Sequence, residues 1–447
     1  MADTLQEFDQ ILREATQQVE QLLGLEDKGW VNLSTTSVII PDADRRTTVQ
    51  EARLYFLKDP LAHRAVCLMT DYSFGTGISW NCEDKKPSDI LSTFWDSPDN
   101  KSIFSSKGQR KSSDKLLIDG EMFFALFNET TIRRIDPLEI TELITDPDDI
   151  ENVRFYKRGW TDTQGASHTS YYRSFANLEN KACQDSLGTS IQKTEDALVY
   201  HLAINDLTQR GNSFLLPALE WIKLYRKFLA SRVAVMLALA RFAWKAKLKG
   251  NQTAVDAAKA VFHEKEVKAG STEVENEAIN LEPIKTDSGA SQAYQDGRQI
   301  KLQVSAATGW PEQYFGDISI GNLATAKTVE LPVQKMCESY QSVWAGVYND
   351  LFQQVLSQNQ IKDIYIDFDF PKVSEEAAAS VAQSIMQMVQ TFPEFANSQD
   401  VQQQALLTLG IKDVNEALKQ ITKEAKSDPN VALAKALRQF REAYGLP

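Results

Sequence analysis

Residues 214–249, FLLPALEWIKLYRKFLASRVAVMLALARFAWKAKLK, form the stretch that decides the fold. Between Trp221 and Val255 the chain has eight Lys and Arg residues and no Asp or Glu. On a helical wheel the basic and apolar side chains separate onto opposite faces. The basic face holds Lys223, Lys227, Arg241, Lys245 and Lys249, and the apolar face holds Ile222, Tyr225, Leu229, Val233, Met236 and Ala240. The pattern predicts one long amphipathic helix that packs in an assembly.

The residues alone leave several interpretations of the basic face open. A solvated helix surface is the simplest, and the lysines of the last turns also suit the negative end of the helix dipole. The face could instead bind the phosphates of a nucleic acid, or lie on an anionic membrane surface as an interfacial helix. A membrane-spanning helix is excluded, because the apolar run Val233–Leu239 is far shorter than the roughly 20 residues needed to span a bilayer.

Composition sets the class of protein. The chain has 447 residues, of which 43% are hydrophobic, enough for well-packed cores. Its net charge of −13 argues against a surface that binds nucleic acid everywhere, so any contact with DNA must be local. The acidic amphipathic sequence of residues 1–23 has neither the basic region nor the apolar core of a signal peptide, which predicts a cytoplasmic protein. Four scattered cysteines without a CxxC motif predict neither a disulfide framework nor a zinc site.

No arrangement of residues is typical of catalysis. GxxxxGK[ST] and GxSxG are absent, so neither a phosphate-binding P-loop nor a hydrolase nucleophile is predicted. His263 begins a zincin-like run, but Val267 occupies the position of the second histidine. Asp146, Asp148 and Asp149 could chelate a divalent cation, although an Asx turn between two strands is the favoured interpretation. We therefore predict a protein that is not an enzyme and that needs no metal or cofactor.

Strand-like and helix-like stretches together predict an α+β fold. Residues 29–193 are rich in Val, Ile, Tyr and Phe and predict mainly strands, including residues 51–57 and 63–74. The polar stretch Ser105–Lys115 predicts an exposed loop. Further expectations are three strands separated by proline turns at 132–160, helices at about 291–307 and 323–358, a strand at 364–370, and helices after residue 374.

Three segments resemble the portal proteins of tailed double-stranded DNA bacteriophages. The first, LLIDGEMFFALF at 116–127 followed by residues 132–160, resembles the wing strands of that family. The second, residues 201–235, resembles the Arg-Gly-x-Ser sequence before a stem helix, here Arg210, Gly211 and Ser213. The third, residues 311–344, resembles the glycine-rich tunnel loop and the long helix that follows it. The order of the three segments along the chain also matches.

The resemblance implies a portal-type subunit with an α/β wing, paired stem helices, a small clip and a helical crown. The segments are a first wing part at 1–212, a stem helix at 213–249, a clip at 250–289, a second stem helix at 290–309, a tunnel loop at 310–322, a second wing part at 323–373 and a crown at 374–447. Such subunits form a ring, commonly of twelve copies, at one capsid vertex of the virion, after assembly in the host cytoplasm. Double-stranded DNA is packaged and later ejected through the ring without sequence-specific reading.

The resemblance also implies roles for three groups of residues. The DNA-channel group consists of the basic stem residues Lys223, Lys227, Arg241, Lys245, Lys249, Arg298 and Lys301. The tunnel-loop group consists of Tyr314, Phe315, Asp317, Ile318 and Ile320. The clip group, which is expected to dock partner proteins, consists of Glu264, Glu266, Glu273, Glu275 and Glu277.

The implied partners are further copies of the chain, double-stranded DNA, the large terminase, a head-tail adaptor, and the major capsid and scaffolding proteins. No membrane is among them. One alternative is a peripheral membrane or adaptor protein that uses the basic amphipathic helix 214–249, and another is a nucleic-acid-processing enzyme of unfamiliar type. Formation of a closed ring separates the portal-type interpretation from both, because only that interpretation requires it.

Overall fold

The computed structural model describes residues 42–371 and residue 373. The residues left out within this range are 129, 147, 178–182, 187, 192–193, 207–208, 242–243, 249–278, 284–289, 317–322, 362–363 and 372. The chain divides into two compact units, Met1–Phe370 and Pro371–Pro447, and nearly all of the described residues belong to the first unit.

The described chain begins with helices. They are α1 (Asp42–Lys58), α2 (Pro60–Phe74), α3 (Lys85–Asp96), α4 (Lys101–Phe104) and α5 (Ser106–Asp119), with the short strand β1 (Ser79–Asn81) between α2 and α3. The side chain of Asp59 caps α2 by accepting the N–H groups of Leu61 and Ala62, and Pro60 occupies the first helical position. The strands predicted at 51–57 and 63–74 are therefore wrong, because these helix signals outweigh the strand-like composition.

The exposed loop predicted at Ser105–Lys115 is also wrong, because most of these residues lie in helix α5. The hydroxyl of Ser105 caps this helix by accepting the N–H of Gly108 at 3.1 Å. Ser112 and Ser113 are buried. The hydroxyl of Ser112 donates to the carbonyl of Gly108 at 2.9 Å, and that of Ser113 lies 3.1 Å from the Tyr340 hydroxyl. The polar groups are thus satisfied inside the protein, which local composition does not reveal.

A six-stranded sheet follows, with the strand order β3–β2–β7–β6–β5–β4. Its strands are β2 (Glu121–Phe127), β3 (Thr131–Ile135), β4 (Ile140–Asp146), β5 (Asp149–Thr161), β6 (Ser167–Ser174) and β7 (Ala197–Ala203). Neighbouring strands are antiparallel except for the parallel pair β6 and β7. The three strands predicted at 132–160 are confirmed. Asp148 donates its N–H to the Asp146 carboxylate at 3.1 Å, which is the predicted Asx turn between two strands.

Both faces of the sheet carry buried residues. One face forms a core that includes Phe123, Ile140, Tyr156, Tyr172 and Val199. On the other face, the ring of Phe124 contacts that of Trp344 in helix α8 (Leu323–Gln358), with 6.4 Å between ring centroids. After α8, the strand β10 (Asp367–Asp369) pairs with β1. The helix predicted at 323–358 is confirmed, and the strand predicted at 364–370 is confirmed over its last part.

Two long helices stand next to each other in the middle of the sequence. Helix α6 (Leu216–Arg241) packs along helix α7 (Ala290–Thr308), which confirms the helix predicted at about 291–307. The long helix predicted over 214–249 is wrong beyond Arg241. Residues Trp244–Leu248 form strand β8, which pairs antiparallel with β9 (Ile279–Pro283).

The sequence of β8 explains this change of structure. Apolar and basic residues alternate with a period of two in Trp-Lys-Ala-Lys-Leu, which suits a strand better than a helix. Lys245 lies opposite Glu282 in the strand register, and residues of opposite charge at such positions stabilise a pair of strands. The predicted α+β class is confirmed by the described helices and sheets taken together.

Candidate functional site

Helices α6 and α7 form a close pair that we call the stem pair. The ring of Phe228 in α6 packs on Gly297 of α7, where an added Cβ would lie 2.7 Å from Cε1 of Phe228. The ring of Phe228 therefore occupies the space that any larger side chain at this position would need. The small size of Gly297 therefore leaves room for this ring between the two helices.

The apolar stripe of α6, made of Ile222, Leu229, Val233 and Met236, changes its environment along the helix. Ile222 is completely buried, whereas Leu229, Val233 and Met236 are 44%, 55% and 60% exposed. Exposed hydrophobic residues are common singly, but three on one helix face form a patch that is typical of a protein–protein contact. The outer part of the stripe is thus left uncovered by the described residues of a single chain.

The Arg-Gly-x-Ser motif joins the sheet to α6 through close backbone contacts. Gly211 crosses Gly120, and a Cβ at residue 211 would lie 2.1 Å from the carbonyl oxygen of Gly120. The hydroxyl of Ser213 accepts the N–H of Leu215 at 3.2 Å at the beginning of the helix. The same hydroxyl donates to the carbonyl of Leu117 at 3.4 Å. Glycine and serine at these positions therefore fix the point at which α6 leaves the sheet.

Arg210, the first residue of the motif, binds the carboxylate of Glu121, whose side chain is completely buried. Arg210 donates from Nη2 to Oε1 at 2.6 Å and from Nε to Oε2 at 3.1 Å. Arg45 of α1 donates to Oε1 at 3.0 Å, and Nε2 of His201 in β7 lies 3.2 Å from Oε2. We call Arg45, Glu121, His201 and Arg210 the Glu121 cluster. It joins α1, β2 and β7 to the segment that leads into the stem pair.

The Glu121 cluster is a structural link. Burial alone would raise the pKa of Glu121, but Arg210, His201 and Arg45 outweigh burial and lower that pKa to about 2. The carboxylate therefore stays ionised at neutral pH and holds two guanidinium groups. The ring of His201 stacks on Phe123 with 4.3 Å between the ring centroids. The sequence pointed to Arg210 through the motif but gave no sign of its partner, which lies 89 residues earlier in the chain.

Two of the predicted DNA-channel residues are held in ion pairs within the chain. Nζ of Lys223 lies 2.8 Å from carboxylate oxygens of both Glu51 and Glu220. Burial opposes the charge of Lys223, but the two carboxylates outweigh it and raise the pKa of that amine. Arg298 holds Glu312 through Nε and Nη2, each at 3.1 Å. The charges of Lys223 and Arg298 are thus compensated within the chain, which weakens their attraction for a phosphate or another anion.

The other predicted DNA-channel residues are spread along the stem pair and beyond it. Lys227 is exposed on α6, and Lys301 is half-buried on α7. The structure describes only the backbone at Arg241, the last residue of α6, and at Lys245 in β8. Lys249 lies outside the described residues. The assignment of these residues to a DNA channel therefore stays a prediction.

The beginning of the predicted tunnel loop is well anchored. Tyr314 and the half-buried Phe315 lie in a short 3-10 helix, Glu312–Phe315. The ring centroid of Tyr314 lies 5.6 Å from that of the fully buried Trp310 and 6.0 Å from that of Tyr72 in α2. Burial and a hydrogen bond with Tyr72 raise the pKa of Tyr314. The remaining predicted residues of the loop, Asp317, Ile318 and Ile320, lie outside the described residues.

Most of the predicted clip, residues 250–289, lies outside the described residues. Its candidate docking residues Glu264, Glu266, Glu273, Glu275 and Glu277 lie outside the described residues, and the strand Ile279–Pro283 is the described part of that segment. Among the described residues, no three or more His, Cys, Asp or Glu side chains come together in a way that could hold a metal ion. In the same part of the chain, no helix combines the length and the apolar character needed to cross a bilayer.

The sequence matches no protein-family model and no curated protein. Three structures of gene transfer agent (GTA) particles are similar to the chain. The neck of an empty GTA particle, computed with C6 symmetry, has 13% identity and a TM-score of 0.49 over 78% of this chain and 90% of that chain. The virion of a native GTA particle has 14% identity and a TM-score of 0.46 over 79% and 92%. The neck of a native GTA particle, computed with C12 symmetry, has 14% identity and a TM-score of 0.43 over 77% and 89%.

Proposed function

We propose that this chain is the portal subunit of a tailed double-stranded DNA bacteriophage. Copies of it form a ring at one capsid vertex of the virion, through which DNA is packaged and ejected. The observation that carries the proposal is the apolar stripe of α6, which is buried at Ile222 and exposed at Leu229, Val233 and Met236. A neighbouring copy related by cyclic symmetry would cover this stripe in every subunit at once.

Burial of the stripe would stabilise the contact between neighbouring subunits. Burying a large aliphatic side chain completely is worth about 1.5–3 kcal/mol. Because about half of each of the three side chains is already covered, the stripe would add roughly 3 kcal/mol to each contact between subunits. The Arg-Gly-x-Ser motif supports the same proposal, since it fixes the direction in which the stem pair leaves the sheet. A fixed direction is needed if every subunit is to present the stripe to its neighbour.

The double substitution Val233→Asp with Met236→Asp should prevent ring assembly, because it places carboxylates in the apolar contact. The wild-type protein, with subunits of 50.3 kDa, should form a particle of about 600 kDa if twelve copies close. The double variant should remain a much smaller species. Mass photometry, together with negative-stain images, measures both outcomes.

The control for this experiment is Ile150→Asp, which also places an acid at an exposed aliphatic position but lies in the sheet. It should assemble like the wild type. Circular dichroism should show the same helix content in all three proteins. A double variant that still forms full-size rings would contradict the proposed role of the stripe, and a wild-type protein that stays monomeric at all concentrations and salt levels would contradict the portal function.

The proposed channel carries few basic residues in each subunit. Every basic residue is repeated around the ring, so that even one residue produces a ring of positive charge. Each neutralised phosphate adds to DNA affinity through counterion release, and a channel that bound every phosphate would hold the DNA in place. A small number of basic rings in an acidic protein instead lets the DNA slide. We assign this role to Arg241, Lys245, Lys249 and Lys301. Lys223 and Arg298 are left out, because each is held in ion pairs with carboxylates of the chain.

Replacing Lys245 and Lys249 with Gln should leave ring assembly unchanged and reduce DNA packaging. Neutral residues avoid placing an acid at position 245, opposite Glu282 in the register. The measurement is the amount of nuclease-resistant DNA per capsid after packaging. The matched control replaces the exposed Lys85 and Lys86 with Gln and should package normally. Normal packaging by the Lys245 and Lys249 variant would remove these two residues from the channel.

The remaining parts of the chain follow from the same proposal. The clip, residues 250–289, would dock the large terminase during packaging and a head-tail adaptor afterwards. The wing would contact the major capsid and scaffolding proteins. Trp310, Tyr314 and Tyr72 would form a firm base for the tunnel loop, so that residues 317–322 could contact the DNA. The crown would comprise residues 374–447.

A further inference from the structure

A cleft of about 400 Å³ lies between the end of α1 and the first turns of α6. It is lined by Leu54, Tyr55, Lys58, Lys223, Arg226 and Lys227. We call it the α1–α6 cleft. The lining is either basic or apolar and aromatic, and it includes no acidic residue. A ligand that fits this cleft should therefore carry both negative charge and apolar surface.

Part of the positive charge in the α1–α6 cleft is not compensated. Lys223 is neutralised by its two carboxylate partners. Arg226 lies 3.8 Å from the Asp59 carboxylate and 5.8 Å from the centre of the Tyr55 ring. Lys58 and Lys227 are exposed, and no described carboxylate lies within ion-pair distance of either. The cleft thus presents at least two positive charges to an acidic ligand.

The apolar side chains of α1 next to the cleft face away from the protein, because ion pairs attach the opposite side of this helix. Arg45 binds Glu121, and Arg53 of α1 donates to both oxygens of the Asp119 carboxylate at 2.7 and 2.8 Å. These ion pairs fix which side of α1 faces the protein. Leu54 and Leu57 then lie on its outer side, 47% and 78% exposed. An exposed leucine pair next to uncompensated lysines is suited to an acidic amphipathic segment.

We propose that residues 1–23 of this chain bind in the α1–α6 cleft. This segment has five acidic residues and one basic residue, Arg13. Six of its apolar residues recur at alternating spacings of three and four, a pattern typical of a helix with one apolar face. They are Leu5, Phe8, Leu12, Ala15, Val19 and Leu22. The segment therefore matches the cleft in both charge and apolar character.

The connection to the rest of the chain is long enough for this binding. Residues 24–41 lie between the segment and α1. The cleft is about 18 Å from the beginning of α1, because it lies roughly twelve residues along the helix. Even a partly folded linker of this length spans such a distance. The segment can thus reach the cleft of its own chain.

Carbodiimide cross-linking of the full-length protein tests the proposal directly, because it joins a carboxylate to a lysine only when the two are in contact. Mass spectrometry should find links from acidic residues among 1–23, such as Glu7 and Glu14, to Lys58 or Lys227. Links from these lysines only to carboxylates elsewhere would overturn the proposal. Added double-stranded DNA provides a further arm, since protection of both lysines without any link to residues 1–23 would assign the cleft to DNA instead.

A second measurement uses the rate at which trypsin cleaves after Arg13 in the folded full-length protein. Replacing Lys58 and Lys227 with Glu should release the segment and increase this rate about tenfold, which corresponds to a loss of about 1.4 kcal/mol. The control, with Lys85 and Lys86 replaced by Glu, makes the same change in net charge away from the cleft and should leave the rate unchanged. Equal rates in all three proteins would overturn the proposal. Neither measurement depends on ring assembly or on DNA packaging.

Discussion

Replacing Gly211 with Ala should lower the free energy of unfolding by about 3 kcal/mol, at the upper end of the usual cost of overpacking. The added Cβ would lie 2.1 Å from the carbonyl oxygen of Gly120 and 2.8 Å from its carbonyl carbon. Both are backbone atoms, and the same carbonyl accepts the N–H of Ile204 at 2.8 Å. The collision therefore cannot be relieved by rotation of a side chain. Relief requires the strand or the segment before α6 to move.

Urea unfolding, followed by tryptophan fluorescence at equal protein concentration, measures this effect. The matched control is Gly346→Ala in α8, where an added Cβ has no atom within 4 Å. Since alanine is a better helix former than glycine, this control should be more stable than the wild type by about 0.5–1 kcal/mol. If Gly211→Ala unfolds at the wild-type urea concentration, the crossing of the two glycines does not constrain the junction.

The elements that could be predicted from the sequence are those with local signals. The strands within 132–160 alternate in hydrophobicity and are separated by proline turns, and α7 and α8 have clear helical periodicity. Helix α5 could not be predicted, because its buried polar residues are satisfied by distant parts of the chain. The hydroxyl partners Ser113 and Tyr340 are 227 residues apart. Composition near Ser113 resembles that of an exposed loop, and the partner that changes this interpretation belongs to another helix.

The same distinction applies to the candidate site. Periodicity identified the apolar stripe of α6, but the change from the buried Ile222 to the exposed Val233 and Met236 depends on which helices cover its first turns. The resemblance identified Arg210 and Gly211 but did not show why these residue types are needed. Arg210 binds a buried carboxylate and Gly211 allows a close backbone crossing, and both partners lie about 90 positions earlier in the chain. Sequence patterns on one helix cannot show contacts of this kind.

The substitution Glu121→Gln should lower the free energy of unfolding by about 3–5 kcal/mol, the usual cost of removing one partner from a buried ion pair. Glutamine has nearly the same shape as glutamate, so the packing stays almost unchanged. The loss arises because Arg45 and Arg210 keep their charges, with side chains only 4% and 18% exposed, after their shared carboxylate has gone. Urea unfolding at neutral pH measures the difference.

The matched control is Glu51→Gln, which also removes the carboxylate of an ion pair. Glu51 is 40% exposed, and its partner Lys223 keeps Glu220. Exposed ion pairs contribute at most about 1 kcal/mol, so this variant should be nearly as stable as the wild type. A similar decrease in the free energy of unfolding for both variants would show that the buried Glu121 cluster stabilises the protein no more than an exposed ion pair does.

The effect of pH gives an independent test of the same cluster. The pKa of Glu121 is lowered from 4.5 to about 2 in the folded protein. A carboxylate whose pKa is lower when folded stabilises the protein above its unfolded pKa and loses this contribution as the pH falls toward its folded pKa. A pKa about 2.5 pH units lower in the folded than in the unfolded protein corresponds to roughly 3 kcal/mol of added free energy of unfolding.

Glutamine at position 121 does not titrate and makes no such pH-dependent contribution. The stability difference between wild type and Glu121→Gln should therefore shrink as the pH falls from about 5 to about 3, and a constant difference over this range would show that the folded protein does not hold Glu121 in its ionised form.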